Sequence, residues 1–260
     1  MAAKADNGGQ PRGWADGRRD GLARRGSNGT GRFNLVFDAD DTLWHSNIHF
    51  LEAEAQFVEA MKRAGVAAGE HAVRSLVRRA ELEVIETLGY GRGPYVVALR
   101  NVVRRAALDE GKRTQLAQAV EEIGRRLMEQ RCELLPGVEA TLSVLAQRHR
   151  LLLFTKGQFD EQHGKLDASG LRPLFSHVAV VREKDLPAYR RLLSEAMLEP
   201  EHSYMIGNSP RSDINPALQA GLGAVYIPYP QTWEREHEEI RSTSRRLTQL
   251  DSFHGLLELF

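Results

Sequence analysis

Residues 33–42 read FNLVFDADDT, a short apolar run that ends in three acids and a threonine. An apolar run of this length is typical of a strand that is buried on both faces of a parallel sheet. Ligands of open α/β sheets bind beyond the carboxyl ends of the strands, which is where Asp38, Asp40 and Asp41 fall. Clustered carboxylates repel one another unless a cation or shared protons offset their charge. The stretch therefore predicts a site for a hard cation such as Mg²⁺, with a phosphate on its other side.

The composition limits the class of protein. The chain has 260 residues, 42% of them hydrophobic, which is enough for one large domain or two modest ones. Lys plus Arg and Asp plus Glu are equal at 35 each, so no global basic field favours nucleic acid as a partner. The sequence contains no apolar stretch long enough for a membrane span and no signal-peptide pattern. Because the single cysteine, Cys132, fits a reducing compartment, we expect a cytoplasmic protein.

Composition also divides the chain into three parts. Residues 1–31 are rich in Gly, Arg, Asn and Asp and poor in large aliphatic side chains, so we expect a disordered tail. Residues 44–131 contain four sets of apolar residues at helical spacing and no strand signal, which predicts a four-helix cap. The segments 32–43 and 132–260 are expected to form the core.

Strand and helix patterns alternate beyond residue 136. Strands are predicted at 151–154, 177–181, 203–206 and 224–228, and helices at 138–145, 159–169, 187–198 and 216–220. This alternation implies right-handed crossovers and a parallel sheet. The sequence therefore predicts an α/β fold with a Rossmann-like parallel-sheet core and an inserted four-helix cap.

Four of the predicted strands lead into polar residues. Asp38 and Asp40 follow the first strand, Thr155 ends the second, Lys184 follows the third, and Asp213 closes the segment GNSPRSD after the fourth. One aspartate at a strand end is often only a helix cap. Four strand ends with carboxylate, hydroxyl, ammonium and carboxylate groups are much harder to explain structurally. Because parallel strands end at one edge of the sheet, we expect these side chains to converge there.

The order of these residues resembles the motifs of the haloacid dehalogenase-like superfamily. The set is Asp38-x-Asp40-x-Thr42, then Thr155, Lys184 and the 207–213 segment. The resemblance covers roughly residues 33–255. The helical block at 44–131 stands where that family inserts its first type of cap domain.

The resemblance implies a role for each residue. Asp38 would be the nucleophile that attacks phosphorus and forms an aspartyl phosphate. Asp40 would protonate the leaving oxygen and later deprotonate the attacking water. Thr155 would hydrogen-bond the phosphoryl oxygens, and Lys184 would neutralise charge between Asp38 and the phosphoryl group. Asp41 is expected to be a turn residue.

The resemblance also implies Mg²⁺ as the cofactor. Its ligands would be the carboxylates of Asp38 and Asp213 and the main-chain carbonyl of Asp40, with waters in the other positions. Asn208 stands where relatives commonly have aspartate, so it would reach the metal through water. The affinity for Mg²⁺ would then be lower than with aspartate at this position.

Two basic residues are expected to contact substrate. Lys156 directly follows Thr155, and Arg92 lies in a glycine-rich loop between cap helices. Lys156, Lys165 and Lys184 are also the three candidates for the charge-neutralising lysine, because Lys184 lacks the proline that often follows it in relatives. Lys184 is favoured since it follows the third strand, whereas Lys165 is expected to face solvent from a helix.

The function implied is a Mg²⁺-dependent phosphatase that acts on a small phosphomonoester metabolite. The expected partner is that phosphorylated substrate, with no nucleic acid and no membrane, and the expected state is a monomer or homodimer. Haloacid dehalogenase and phosphomutase activity on the same fold remain alternatives, and so does a non-catalytic binding protein. Asp40 favours phosphate chemistry over dehalogenation, because a halide needs no proton and an alkoxide does.

Overall fold

The apolar run at the start of the core forms β1, one of the inner strands of a parallel sheet. The computed structural model describes residues 31–260. Six strands pair in the order β3-β2-β1-β4-β5-β6 in this part of the chain. They are β1 (Asn34–Phe37), β2 (Arg150–Lys156), β3 (His177–Val181), β4 (Ser203–Gly207), β5 (Gly223–Tyr226) and β6 (Leu247–Gln249). The predicted disordered tail lies outside the described residues, apart from Gly31.

The register around β1 explains why the functional residues meet. Phe37, the last residue of β1, is opposite Leu153 of β2 on one side and Ile206 of β4 on the other. The next amide, that of Asp38, still donates to the carbonyl of Ile206 at 2.9 Å. The backbone of Asp38 is therefore fixed at the carboxyl edge of the sheet, between the ends of two neighbouring strands.

Helices cover the sheet and bury its apolar side chains. Those of the core are α5 (Val138–Leu145), α6 (Phe159–Ala168), α7 (Leu186–Glu195), α8 (Asn215–Gln219) and α9 (Leu256–Leu259). Tyr189 of α7 packs edge-on against Phe154 of β2, with ring centroids 5.0 Å apart, and both side chains are fully buried. Each such side chain contributes roughly 1.5–3 kcal/mol by leaving water.

Four helices lie between β1 and α5, where the sequence predicts a four-helix insertion. They are α1 (Asn47–Arg63), α2 (Glu70–Leu88), α3 (Arg92–Arg105) and α4 (Glu110–Met128). Their apolar faces meet in a separate hydrophobic cluster, in which Phe57, Leu99, Leu116 and Val120 are fully buried. The spacing of apolar residues in the sequence thus marks the faces that the cap buries. The exact domain boundaries at 44 and 131 stay predictions.

The loop between β1 and α1 depends on Asp41. This residue has φ 62°, in the left-handed region that aspartate tolerates better than most residues. Its carboxylate accepts hydrogen bonds from the amides of Ser46 and Asn47, at 2.9 and 3.1 Å, where α1 begins. Asp41 therefore serves as a turn residue and holds the start of the cap.

No helix within residues 31–260 is long and apolar enough to cross a bilayer.

Candidate active site

A cavity of about 130 Å³ lies at the carboxyl edge of the sheet and is lined by residues of both core and cap. The core side includes most of the residues predicted from the sequence, namely Asp38, Asp40, Thr155, Lys156, Lys184, Asn208 and Asp213. The structure therefore brings side chains from four strand ends into one site, as the parallel topology led us to expect.

Lys184 lies between two carboxylates at the base of this cavity. Its Nζ is 2.7 Å from Oδ1 of Asp213 and also donates to Oδ1 of Asp38. Burial alone would lower the pKa of Lys184, but Asp213 and Asp38 raise it above its usual value, so the ammonium stays charged. Burial and then Asp38 raise the pKa of the Asp213 carboxyl, against the effect of Lys184. A single ammonium thus pairs with two carboxylates at a buried position.

The close packing of Asp213 requires glycine at 207. A Cβ at this position would overlap the carboxylate of Asp213. The amide of Ser209 also donates to Oδ2 of Asp213 at 3.0 Å, which fixes the other oxygen. Gly207 therefore lets the carboxylate turn back against the end of β4, within reach of Lys184.

Asp40 is held by a second buried lysine. Nζ of Lys165, on α6, lies 2.8 and 3.0 Å from the two carboxylate oxygens of Asp40. Gln162 and the indole of Trp44 also donate to this carboxylate, at 2.9 and 2.7 Å. Burial would raise the pKa of Asp40, but Lys165, and then the hydrogen bonds from the three donors, lower it overall. Asp40 is therefore ionised in this arrangement.

The expectation that Lys165 faces solvent is wrong. Its side chain is 7% exposed and also pairs with Glu161, at 3.4 Å. A signal was available in the sequence, because Gln162, Lys165 and Leu166 are spaced i, i+3 and i+4 on one face of α6, and Leu166 is fully buried. The face that buries Leu166 carries Gln162 and Lys165 to Asp40.

Thr42 and Asn208 connect the first and fourth strand ends. The Thr42 hydroxyl lies 3.0 Å from Oδ2 of Asp38 and 3.1 Å from Oδ1 of Asn208, so it can donate to either oxygen. Nδ2 of Asn208 donates to Oγ1 of Thr232 at 2.8 Å, and that hydroxyl donates to the carbonyl of Tyr229, also at 2.8 Å. While the single hydroxyl proton of Thr232 goes to Tyr229, the residue at 208 is the donor of this pair. An amide meets this requirement and a carboxylate does not.

Lys156 lines the cavity but is already paired. Its Nζ donates to Glu236 and, at 3.1 Å, to Ser212, and it lies 4.6 Å from the ring centroid of Tyr90. Glu236 also accepts from the hydroxyls of Ser209 and Ser212, at 2.6 and 2.5 Å. Burial would raise the pKa of Glu236, but Lys156 and these hydrogen bonds lower it to about 2. Sequence reasoning missed Glu236, which lies in the irregular segment after β5 with no pattern to mark it.

Arg92 does not line the cavity in the described structure. Its Nη1 donates to the carbonyl of Gln130 at 3.2 Å, and its Nε lies 3.7 Å from Glu161 of α6. Its amide also donates to Glu161, at 2.9 Å. Arg92 therefore joins the start of α3 to the core and to the end of the cap, which is a different place from the substrate contact predicted for it.

Asp38 and Asp213 are the two carboxylates at the base of the cavity that a cation could use. Among residues 31–260, no three His, Cys, Asp or Glu side chains are grouped as a metal site. The carboxylate of Asp40 is bound to Lys165, so of this residue only the main-chain carbonyl that the resemblance implies is left for a metal. The oxygens of Asp38 and Asp213 are the hard ligands that Mg²⁺ prefers.

The fold and the cavity define an α/β protein with an acidic site under a helical cap, and sequence comparison identifies the family. A family model of haloacid dehalogenase-like hydrolases matches residues 34–221. The chain therefore belongs to the haloacid dehalogenase-like hydrolases, as the order of its motifs suggested.

Two relatives are phosphatases. A phosphoserine phosphatase of Thermus thermophilus is 32% identical over 187 residues, which cover 67% of this chain and 72% of that protein. A glyceraldehyde 3-phosphate phosphatase of Methanothermobacter thermautotrophicus is 24% identical over 234 residues, which cover 86% of this chain and 98% of that protein. Among solved structures, a haloacid dehalogenase-like family hydrolase from Xanthomonas campestris superposes with a TM-score of 0.71 and 30% identity, covering 87% of this chain and 93% of that one.

Proposed function

We propose that this protein is a Mg²⁺-dependent phosphatase that hydrolyses a small phosphomonoester through an aspartyl phosphate on Asp38. The observation that carries the proposal is the position of Asp38, which lines the cavity with its carboxylate bound by Lys184 and with Asp40 two residues away. The two relatives named as phosphatases support phosphate chemistry.

In the first step, an oxygen of Asp38 would attack phosphorus, and the bond from phosphorus to the leaving oxygen would break. Lys184 would shield the negative charge of the phosphoryl group from that of Asp38. The hydroxyl of Thr155 lines the cavity and makes no hydrogen bond to another described residue, so it is available to a phosphoryl oxygen.

In the second step, a water molecule would attack phosphorus and release Asp38. Asp40 would take the proton of that water, for which the ionised state maintained by Lys165 is the correct one. To protonate an alkoxide in the first step, the same carboxylate must first gain a proton. We therefore expect Asp40 to leave Lys165 when it acts as the acid.

The donor set fits Mg²⁺. Asp38 and Asp213 offer two buried carboxylates that, among residues 31–260, pair with Lys184 alone, and burial followed by the charge of Asp38 raises the pKa of Asp213. The main-chain carbonyl of Asp40 would supply a third oxygen, and Asn208 would reach the cation through water. The cation would provide the positive charge that lets a carboxylate approach an anionic phosphate.

The structure also bears on the non-catalytic alternative, whose support in the sequence is the unusual Asn208. Because Asn208 is the donor that Thr232 requires, its presence has an explanation that does not involve loss of activity. The partners and state expected from the sequence remain part of this proposal: a small phosphorylated substrate, no nucleic acid or membrane, and a monomer or homodimer.

The proposal is tested by assaying purified protein with p-nitrophenyl phosphate, a panel of phosphorylated metabolites and 2-chloropropionate, with Mg²⁺ and with EDTA. We expect phosphate release that requires Mg²⁺ and no chloride release. Asp38→Asn should abolish turnover and leave the circular dichroism spectrum unchanged. Undiminished activity in Asp38→Asn would refute the nucleophile, and transfer of phosphate to an added sugar rather than to water would identify a phosphomutase.

A further inference from the structure

The cap side of the cavity has a largely apolar wall, with polar groups at Asn47 and Tyr90 and one carboxylate on α2. Its wall is formed by the side chains of Phe50, Val84, Ile85, Pro94 and Tyr95. Glu81, one turn before Val84 and Ile85, lines the same cavity as Asp38 and Lys184. When the phosphate of a phosphomonoester lies at Asp38, its organic group would therefore pack against this apolar wall and face Glu81.

Glu81 makes no hydrogen bond or ion pair to any other residue between 31 and 260, and its charged neighbours are mostly paired. Glu54 binds Arg74 at 2.6 Å, and Arg78 binds Glu234 at 2.7 Å. Burial, and then Glu54, raise the pKa of Glu81 to about 7, although Arg78 and Arg235 act in the opposite direction. The cap thus holds a carboxylate that has no ion-pair partner among the described residues.

We propose that Glu81 is a subsite for an ammonium group, and that the substrate is a small phosphomonoester with a primary amine at its other end. An ammonium ion would supply both the missing charge and hydrogen-bond donors, whereas a hydroxyl would supply only a donor. The apolar wall strengthens the attraction because it keeps water away from the pair. A cavity of about 130 Å³ fits a compact amine. This inference rests on the proposed phosphatase activity.

Arg235 is the residue most able to serve as an internal partner instead. It lies near enough to Glu81 to lower its pKa, and its buried Nε has no hydrogen-bond acceptor among the described residues. Arg235 does not line the cavity. If Glu81 served to bind Arg235, removing its charge would affect every substrate alike, so a comparison of substrates separates the two roles.

The experiment uses two pairs of substrates that differ only in an amine and a hydroxyl. They are O-phosphoethanolamine with 2-hydroxyethyl phosphate, and O-phosphoserine with 3-phosphoglycerate. For the wild-type protein we expect kcat/KM to favour the amine in at least one pair by about 10-fold or more. Glu81→Gln should lower kcat/KM for the amine by about 10- to 100-fold, the effect of one charged hydrogen bond, and change the hydroxyl analogue by less than about 3-fold.

Glu86→Gln is the matched control, since Glu86 is an exposed glutamate on the same helix and should keep the wild-type preference. Equal rates for amine and hydroxyl in the wild type, or an equal loss for both in Glu81→Gln, would overturn the subsite. Activity on p-nitrophenyl phosphate distinguishes this failure from a wider one. If that ester is cleaved without any preference for amines, the subsite is wrong and the phosphatase stands; if neither that ester nor any of the four analogues is cleaved, both proposals fall.

Discussion

Nζ of Lys165 lies 2.8 Å from Oδ1 of Asp40, so the residue expected to move protons is bound to a lysine rather than free in the cavity. The ion pair lowers the pKa of Asp40 although burial favours the neutral acid. The ionised form is therefore dominant at neutral pH. Because the proposed mechanism needs Asp40 as an acid in one step and as a base in the other, we expect Lys165 to set the pH range of the reaction.

Lys165→Met should move the pH dependence of kcat to higher pH. p-Nitrophenolate leaves without a proton, so with this ester Asp40 is needed only as the base, and activity falls as the pH drops through its pKa. Without Lys165, burial raises the pKa of Asp40. We therefore expect the acidic limb of the kcat profile to shift to higher pH by about one pH unit or more. The profile is measured between pH 4 and 9 at saturating ester.

Lys165→Arg retains the positive charge and should keep the acidic limb near its wild-type position. Lys62→Met, at an exposed position at the end of α1, is the control for loss of a lysine elsewhere. An unchanged acidic limb in Lys165→Met would mean that the ion pair is only structural.

Asn208→Asp should destabilise the protein when Mg²⁺ is absent. Thr232 gives its hydroxyl proton to the carbonyl of Tyr229 and accepts from Asn208, so an aspartate would either face a second acceptor or draw that proton away from Tyr229. We expect a loss of about 1–3 kcal/mol in the free energy of unfolding, measured with urea in EDTA. Adding Mg²⁺ should raise Tm more in this variant than in the wild type, because a further carboxylate then lies beside Asp38.

Thr232→Val provides the matched background for this prediction. Valine removes the facing hydroxyl at nearly the same volume, so Asn208→Asp should cost less in Thr232→Val than in the wild type. The same cost in both backgrounds would show that the bond to Thr232 does not determine the choice of asparagine.

Much of the site could be predicted because it depends on topology. Asp38, Thr155, Lys184 and Asp213 are more than 170 residues apart at the extremes, yet each follows or ends a strand of one parallel sheet. Parallel strands share one carboxyl edge, so finding the strands was enough to bring these residues together. The roles assigned to them by resemblance stay predictions.

What could not be predicted depends on irregular segments and side-chain direction. β6 has three residues and follows twenty residues without a strand or α-helical pattern after β5, so no periodicity marks it. Glu236 lies in the same segment and enters the site only because the loop folds back onto Ser209 and Ser212. The contact of Arg92 with the main-chain carbonyl of Gln130 could not be predicted for a related reason, since such an acceptor carries no sequence signal.

Glu236→Gln should cost stability in a way that depends on pH. The pKa of Glu236 is about 2 in the folded protein and near 4.5 when unfolded, so its charge stabilises the fold fully above about pH 4.5 and progressively less as the pH falls towards 2. We expect Glu236→Gln to be less stable than the wild type by roughly 3 kcal/mol at pH 6, with the difference smaller by about 1 kcal/mol at pH 3.5. Urea unfolding at the two pH values measures it, with Glu238→Gln as the control from the same loop. A difference that does not change with pH would mean that Glu236 contributes through packing and neutral hydrogen bonds rather than through its charge beside Lys156.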